Sequence, residues 1–148
     1  MNILTVDPGL ATGIAMWVDT PKDSSFQSEI VESGAIYDKL NRLIPVFDVV
    51  AFETFTITAK TVKMTRQNDA LELIGVVKFL CWMHDKPWAP QSPGDAKAFV
   101  SNAWLRKLGW YHPGAGHDND AARHLFLFMS RRYSSMFDTL MRGYVLKP

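Results

Sequence analysis

Two carboxylates stand at the ends of strongly apolar stretches of the sequence. Residues 3–6 are Ile-Leu-Thr-Val and lead directly to Asp7, and the stretch Asp-Val-Val-Ala-Phe at 48–52 leads to Glu53. Both stretches read as buried strands, and a buried carboxylate is costly unless a cation or hydrogen-bond donors meet it. If the two strands are neighbours in one sheet, Asp7 and Glu53 lie side by side, and their like charges favour a cation between them.

A third acidic group stands at the predicted start of a helix. The segment 116–124, Gly-His-Asp-Asn-Asp-Ala-Ala-Arg-His, places His117 and Asp120 three residues apart and therefore on one helix face. With Asp7 and Glu53 they form an oxygen-rich donor set that suits Mg²⁺ or Mn²⁺ better than Zn²⁺. Two such ions about 4 Å apart would clamp the attacking and leaving oxygens of a phosphodiester displacement.

Each of these acids also has a purely structural interpretation. Asp7 can form a turn with Pro8, and Glu53 can be the exposed last residue of a strand. Asp118 can cap the helix, and Asp120 can interact favourably with the helix dipole. The functional hypothesis rests on the combination, because all of the acids are predicted to lie at the ends of elements.

The elements that position these residues alternate between strands and helices. Strands are predicted at 2–7, 13–18, 26–36 and 48–53, with a short edge strand within 87–93; helices are predicted at 37–46, 67–85, 92–109 and 119–133. This order predicts an α/β fold with a mixed five-stranded sheet flanked by helices. The length of 148 residues predicts a single domain over residues 1–148.

Composition and charge narrow the class of protein further. No run of about 18 apolar residues is present, so we expect no membrane-spanning helix, and the first residues do not read as a secretory signal. Cys81 is the only cysteine, which fits a reducing, cytoplasmic compartment. Residues 1–53 carry 3 basic and 8 acidic residues, whereas residues 54–148 carry 13 basic and 7 acidic residues. This asymmetry is compatible with a nucleic-acid partner.

Three segments of the sequence resemble the signature blocks of a known nuclease family. They are Thr-Val-Asp-Pro-Gly-Leu-Ala-Thr-Gly-Ile-Ala at 5–15, Val-Val-Ala-Phe-Glu-Thr-Phe at 49–55, and the stretch from His117 through the apolar run that ends at Phe128. In order and spacing they resemble the RuvC-like Holliday junction resolvases of the RNase H-like superfamily, in a phage-type or otherwise diverged form. The resemblance implies an RNase H-like fold and a Mg²⁺- or Mn²⁺-dependent endodeoxyribonuclease with two ions in each active site.

The resemblance also assigns roles to individual residues. It implies that Asp7, Glu53, His117 and Asp120 are the catalytic residues and the metal ligands, with Asp118 as an alternative ligand. Further residues are predicted to contact DNA: Lys97 near the scissile phosphate, Phe55 as the aromatic residue that meets the junction, and Lys60, Lys63 and Arg66 on backbone phosphates.

The implied substrate is branched DNA, and the implied reaction is the resolution of four-way junctions by paired phosphodiester hydrolysis. An alternative is a nuclease of the same fold that cuts flaps, forks or RNA, because fold does not fix substrate. A less favoured alternative is an actin-like ATP-binding phosphotransferase, which would need a second Gly-rich phosphate loop that the sequence lacks. The expected location is the cytoplasm, or the host cytoplasm for a phage-encoded protein.

The segment 70–83 predicts a homodimer. Only Glu72 and Lys78 are charged in it, and apolar residues surround nearly the whole predicted helix. One face would cover the sheet and the other would be left as an apolar stripe, which a two-fold mate would bury. In the alternative interpretation, the last two helices sandwich this helix within the monomer. We expect Trp82 to belong to the core.

Overall fold

The computed structural model describes residues 1–55, 57, 67–114 and 116–145. Its strands are β1 (Ile3–Asp7), β2 (Ala11–Asp19), β3 (Ser24–Glu32), β4 (Val49–Glu53) and β5 (Trp88–Gln91). Its helices are α1 (Ser33–Leu43), α2 (Gln67–Met83), α3 (Pro93–Phe99), α4 (Asn102–Leu108), α5 (His117–Arg132) and α6 (Ser134–Val145), and a 3₁₀ turn at Ile44–Val46 follows α1.

The five strands form one mixed sheet in the order β3-β2-β1-β4-β5. Strand β1 pairs antiparallel with β2 and parallel with β4, and β5 pairs parallel with β4. This confirms the predicted α/β fold and the predicted proximity of β1 and β4. Because Val6 is the register partner of Phe52, the two strands end together, with Asp7 and Glu53 at the same edge of the sheet.

Helices cover both faces of the sheet. Successive residues of a strand point to opposite faces, so Ile3 belongs to a cluster with residues of α4, α5 and α6, whereas Leu4 belongs to a cluster with residues of α1 and α2. In β4, Ala51 lies in the first of these two clusters and Phe52 lies in the second. Burial on both faces explains why β1 and β4 read as continuous apolar runs rather than as alternating ones.

Several boundaries differ from those predicted from sequence. Strand β3 ends at Glu32, and α1 begins at Ser33. The predicted helix 92–109 is two helices, because Val100 adopts an extended conformation and the Ser101 side chain caps α4 by accepting a hydrogen bond from the Trp104 amide. Helix α6 was not predicted, and it packs against α5.

Helix α2 lies on the face opposite α5 and α6, so it is not sandwiched by the last two helices. Leu73 and Val77 are among the α2 residues that pack on the sheet. Trp82, expected in the core, is 71% exposed because it lies on the outer side of the helix. Among the described residues, no helix combines the length and apolar character needed to cross a membrane.

Candidate active site

The candidate active site begins where β1 and β4 end. Asp7 is the last residue of a strand whose five residues are all buried, and the residue is only 5% exposed. Glu53 ends β4 one step beyond the last β1–β4 register pair and is half-buried. The parallel pairing of these two strands therefore brings two carboxylates to one edge of the sheet.

Helix α5 is fixed over this edge by two close contacts. The buried Thr5 hydroxyl donates a hydrogen bond to the Ala121 carbonyl at 2.8 Å. Gly13, the register partner of Asp7, lies so close to the first turn of α5 that an added Cβ would stand 1.9 Å from the His117 carbonyl oxygen. Gly13 therefore lets the α5 backbone approach β2 at van der Waals distance, and this approach places the first turn of α5 beside Asp7.

Each of the two strand-end carboxylates contacts a histidine of α5. His117 Nδ1 lies 2.8 Å from Asp7 Oδ2, and His124 Nε2 lies 2.7 Å from Glu53 Oε2. The other ring nitrogen of His124 lies 2.7 Å from Gln91 Oε1. His117 is about half exposed whereas His124 is fully buried, so only His117 faces the solvent side of the site.

Asp120 forms ion pairs with two basic side chains. Lys97 Nζ on α3 lies 3.0 Å from Asp120 Oδ2, and Arg123, one turn along α5, donates to Asp120 Oδ1. The same guanidinium group donates to the Asn102 side chain and to the Val100 carbonyl. Asp120 is thus tied to the connection between α3 and α4 as well as to its own helix.

Burial and like charges act together on Asp7. Burial raises the pKa of Asp7, the hydrogen bond from His117 opposes this rise, and the nearby charges of Glu53 and Asp120 raise the pKa further. The three carboxylates therefore act electrostatically on one another. This mutual repulsion is the property that a bound cation would relieve.

The two exposed basic side chains respond to all three acids. The hydrogen bond to Asp7 raises the pKa of His117; burial opposes this rise, and the charges of Asp7, Asp120 and Glu53 add to it. Burial acts to lower the pKa of Lys97, but the hydrogen bond and charge of Asp120, with the charges of Glu53 and Asp7, raise it overall. The acidic site therefore favours the cationic form of both side chains.

The Asp7→Asn variant should lower the pKa of His117 in the metal-free protein. The hydrogen bond from His117 to the Asp7 carboxylate is the largest cause of the raised pKa, and asparagine removes the negative charge that it depends on. A pH titration of the His117 ring followed by NMR measures the change. A His117 pKa that is equal in the two proteins would show that this contact does not form in solution.

The donor set fits a hard divalent cation by its chemistry. Three carboxylates and one imidazole surround the edge of the sheet, and carboxylate oxygens are the ligands that Mg²⁺ and Mn²⁺ prefer. Within the described ranges, however, no three acidic, histidine or cysteine side chains lie close enough, as they stand, to hold an ion. A cation would have to displace Lys97, whose side chain is 56% exposed. Metal binding by Asp7, Glu53, His117 and Asp120 stays a prediction.

Asp118 does not cap α5, and its carboxylate contacts the loop before this helix. The helix begins at His117 with Gly116 in the capping position, which places Asp118 inside the first turn. Its Oδ2 lies 2.6 Å from His112 Nδ1, and its Oδ1 accepts a hydrogen bond from the Asn119 amide. Asp118 therefore holds the loop before α5, and its role as an alternative metal ligand stays a prediction.

The predicted DNA-contacting residues are only partly described. Lys97 lies at the site, against Asp120. Phe55 follows Glu53 by two residues and is half-buried against the cluster formed by α1 and α2. Lys60, Lys63 and Arg66 lie outside the described residues. Contact between these five residues and DNA stays a prediction.

Sequence reasoning missed three residues that hold the acids in place. Arg123 and His124 follow Asp120 by three and four residues, so helical spacing predicts them on its side of α5. The sequence signal that could have identified them is that two polar residues directly precede the apolar run Leu-Phe-Leu-Phe at 125–128. Gln91, the register partner of Glu53 on β5, carried no sequence signal, because only the strand pairing brings it to His124.

Comparisons with solved structures identify the fold. Thermus thermophilus RuvC in complex with a Holliday junction substrate matches with a TM-score of 0.67 and 15% identity, over 90% of this chain and 98% of that chain. A second structure of Thermus thermophilus RuvC matches with a TM-score of 0.63 and 17% identity, over 88% and 96% of the two chains. The yeast mitochondrial Holliday junction resolvase Ydc2 matches with a TM-score of 0.57 and 7% identity, over 95% and 85%.

The fold of this chain is therefore the α/β fold of the RuvC-like resolvases, with the five-stranded mixed sheet of RNase H-like proteins. This confirms, at the level of the fold, the resemblance seen in the sequence. No protein-family model matches the sequence, and no curated protein matches it. The likeness thus lies in the arrangement of elements and not in overall sequence identity.

Proposed function

We propose that this protein is a metal-dependent DNA endonuclease that resolves four-way junctions by paired phosphodiester hydrolysis. The observation that carries the proposal is the convergence of Asp7, Glu53 and Asp120 at the edge formed by the parallel pair β1–β4. Among the solved structures with the same fold, Ydc2 is named as a Holliday junction resolvase, and Thermus thermophilus RuvC was solved in complex with a Holliday junction substrate. Fold and site together favour this function over the phosphotransferase alternative.

The proposed chemistry divides among four side chains. Asp7, Glu53, Asp120 and His117 would hold Mg²⁺ or Mn²⁺, which when bound lowers the pKa of a water and stabilises the leaving oxygen. Asp7 is buried and feels the charges of both other acids, so it would contribute to holding the cations. Because His117 Nδ1 contacts Asp7, Nε2 is the ring atom that remains, and it would serve either to bind the cation or to order the water and take its proton.

Lys97 would change partners during the reaction. In the metal-free arrangement its ammonium group neutralises Asp120. Once a cation takes that place, the exposed lysine would be free to contact the scissile phosphate.

Lys60, Lys63 and Arg66 would contact other backbone phosphates, with affinity that falls as salt increases. Phe55 would stack on an unpaired base at the junction. Such DNA substrates and the lone, buried Cys81 suit the cytoplasm of the cell or host.

Cleavage of a labelled four-way junction in different metal ions tests the proposed reaction. Mg²⁺ or Mn²⁺ should support cutting, whereas Ca²⁺ should support DNA binding without cutting, because its longer bonds and looser shell misalign the water and the phosphate. Cleavage that persists undiminished in excess EDTA would exclude metal dependence. Cleavage that is as fast in Ca²⁺ as in Mg²⁺ would contradict the proposal that the reaction needs the shorter bonds and stricter geometry of Mg²⁺.

We further propose a homodimer formed through the outer face of α2. Leu71, Phe79, Trp82 and Met83 are exposed on this helix, and the rings of Phe79 and Trp82 lie 6.1 Å apart. Spacings of eight and eleven residues place Phe79 and Trp82 on the side of the helix that carries Leu71. Contiguous exposed apolar residues on one helix mark an interaction surface, and a two-fold dimer would supply the two cuts that clean resolution needs.

The Phe79→Glu variant should be a monomer under conditions in which the wild type is a dimer, because a buried unpaired charge in the interface is costly. Light scattering at micromolar concentration should give twice the 16.7 kDa chain mass for the wild type and the chain mass for the variant. Tyr37→Glu is the matched control, since Tyr37 is an exposed aromatic residue on α1. A wild type that is monomeric and still active on junctions would contradict the dimer.

A further inference from the structure

Two consecutive side chains of α5, Arg123 and His124, each hold one carboxylate of the candidate active site. We propose that they are positioning residues that fix one oxygen of Asp120 and one oxygen of Glu53, so that each acid offers a single oxygen to a cation. The inference rests on the proposed metal-dependent function and adds to it a preference for small octahedral ions over Ca²⁺. Neither residue would touch the cation or the DNA.

His124 is held by contacts on both sides of its ring. The side chain is 1% exposed, with Nε2 at 2.7 Å from Glu53 Oε2 and Nδ1 at 2.7 Å from Gln91 Oε1. Gln91 is itself buried and is the β5 register partner of Glu53. Because turning the ring would break both contacts, His124 fixes the rotamer of Glu53. One carboxylate oxygen of Glu53, Oε2, is thereby occupied by the contact with His124.

Arg123 is anchored in the same way at three points. Its side chain is 13% exposed, and it donates to the Val100 carbonyl, the Asn102 side chain and Asp120 Oδ1. Lys97 differs, because it is largely exposed and contacts Asp120 Oδ2 from the solvent side. An arriving cation can displace Lys97 at low cost, whereas displacing Arg123 would leave a buried guanidinium group unpaired. The oxygen that becomes free is therefore Oδ2.

The number of free oxygens bears on which ion fits. Mg²⁺ requires near-octahedral geometry and keeps several waters, so single oxygens from Glu53 and Asp120 suit it. Ca²⁺ takes six to eight oxygens and often uses both oxygens of one carboxylate. With Oε2 of Glu53 and Oδ1 of Asp120 engaged by buried donors, neither acid can bind in that bidentate manner. The pair would therefore favour Mg²⁺ or Mn²⁺ over Ca²⁺.

Calorimetric titration of the DNA-free, full-length protein with Mg²⁺ and with Ca²⁺ tests this proposal without relying on activity. The His124→Phe and Arg123→Met variants should bind Mg²⁺ about tenfold or more weakly, the usual cost of losing a group that orients a ligand. Their Ca²⁺ affinity should change about threefold or less, because the released oxygen allows bidentate binding. The His124→Gln and Arg123→Lys variants retain a donor and should recover part of the Mg²⁺ affinity.

The control is Arg131→Met, which removes an exposed arginine near the other end of α5 that contacts Asp95. It should leave both affinities unchanged, and thermal unfolding of every variant identifies those that fold. If His124→Phe does not fold, Arg123→Met and the two donor-retaining variants decide the question. Folded variants that bind Mg²⁺ as the wild type does, or that lose both ions equally, would overturn the proposal.

The outcomes separate this inference from the proposed function. A wild type that binds neither ion would overturn both. A shift in ion preference as expected, in a protein that cuts no DNA, would support the positioning role and contradict the nuclease. If the variants bind both ions as the wild type does and the wild type cuts junctions with Mg²⁺, the positioning role is contradicted and the nuclease function is supported.

Discussion

The Asp7→Asn variant is expected to cut junction DNA at least about a hundredfold more slowly than the wild type while it binds the junction about as tightly. Loss of a preorganised electrostatic group at a reacting centre typically costs this much or more. Asp7 is the buried acid that feels the charges of both Glu53 and Asp120, so its loss should affect every cation held at the site.

Binding should survive because the carboxylate repels phosphate until a cation arrives, and asparagine has nearly the same size. The Glu53→Gln variant should behave in the same way. The matched control is Asp38→Asn, since Asp38 is an exposed acid on α1 that pairs with Arg42 one turn away. Rates from single-turnover cleavage and affinities from gel shift in Ca²⁺ give the comparison. An Asp7→Asn protein that keeps more than a few per cent of the wild-type rate would remove Asp7 from the site.

The Gly13→Ala variant should be destabilised by about 3 kcal/mol or more, because overpacking usually costs 1–3 kcal/mol and here the obstacle is backbone. The added methyl group would lie 1.9 Å from the His117 carbonyl oxygen and 2.8 Å from the Asp118 amide nitrogen. Neither atom can turn away as a side chain can, so β2 and α5 must separate. That separation would also move His117 away from Asp7.

Urea unfolding measures the loss as a lower midpoint at unchanged slope. The control is Gly34→Ala at the start of α1, where an added Cβ meets no atom within 4 Å. That substitution should leave the protein as stable or raise the free energy of unfolding by about 1 kcal/mol or less, because alanine favours the helix over glycine. A Gly13→Ala protein as stable as the control would show that β2 and α5 are farther apart than the structure places them.

The sequence was sufficient to predict the two acids at the sheet edge. Apolar runs that end in a carboxylate predicted β1 and β4 closely, because such runs are buried on both faces and tolerate a charge only at their ends. The spacing of His117 and Asp120 likewise predicted that both lie on one face of α5. The sequence pattern was enough in these cases because each pattern lies within one strand or one helix.

Features that depend on contacts between distant elements were not predictable. The need for glycine at position 13 comes from the approach of α5, which lies more than a hundred residues away in the sequence. The roles of Arg123 and His124 depend on Asn102 and Gln91, which only the fold brings near. Helix α6 was missed, and Trp82 was placed in the core, because helical periodicity does not say which face meets the sheet.

Side-by-side cleavage of labelled four-way, forked, flap and linear duplex DNA in Mg²⁺ is the most direct measurement of the proposed function. Each strand of the junction is labelled in turn so that every cut can be placed. The four-way junction should be cut fastest, at symmetric positions on two opposing strands, and linear duplex should be left intact. Equal cutting of linear duplex, preference for flaps or forks, or no cutting of the junction would contradict the proposed function.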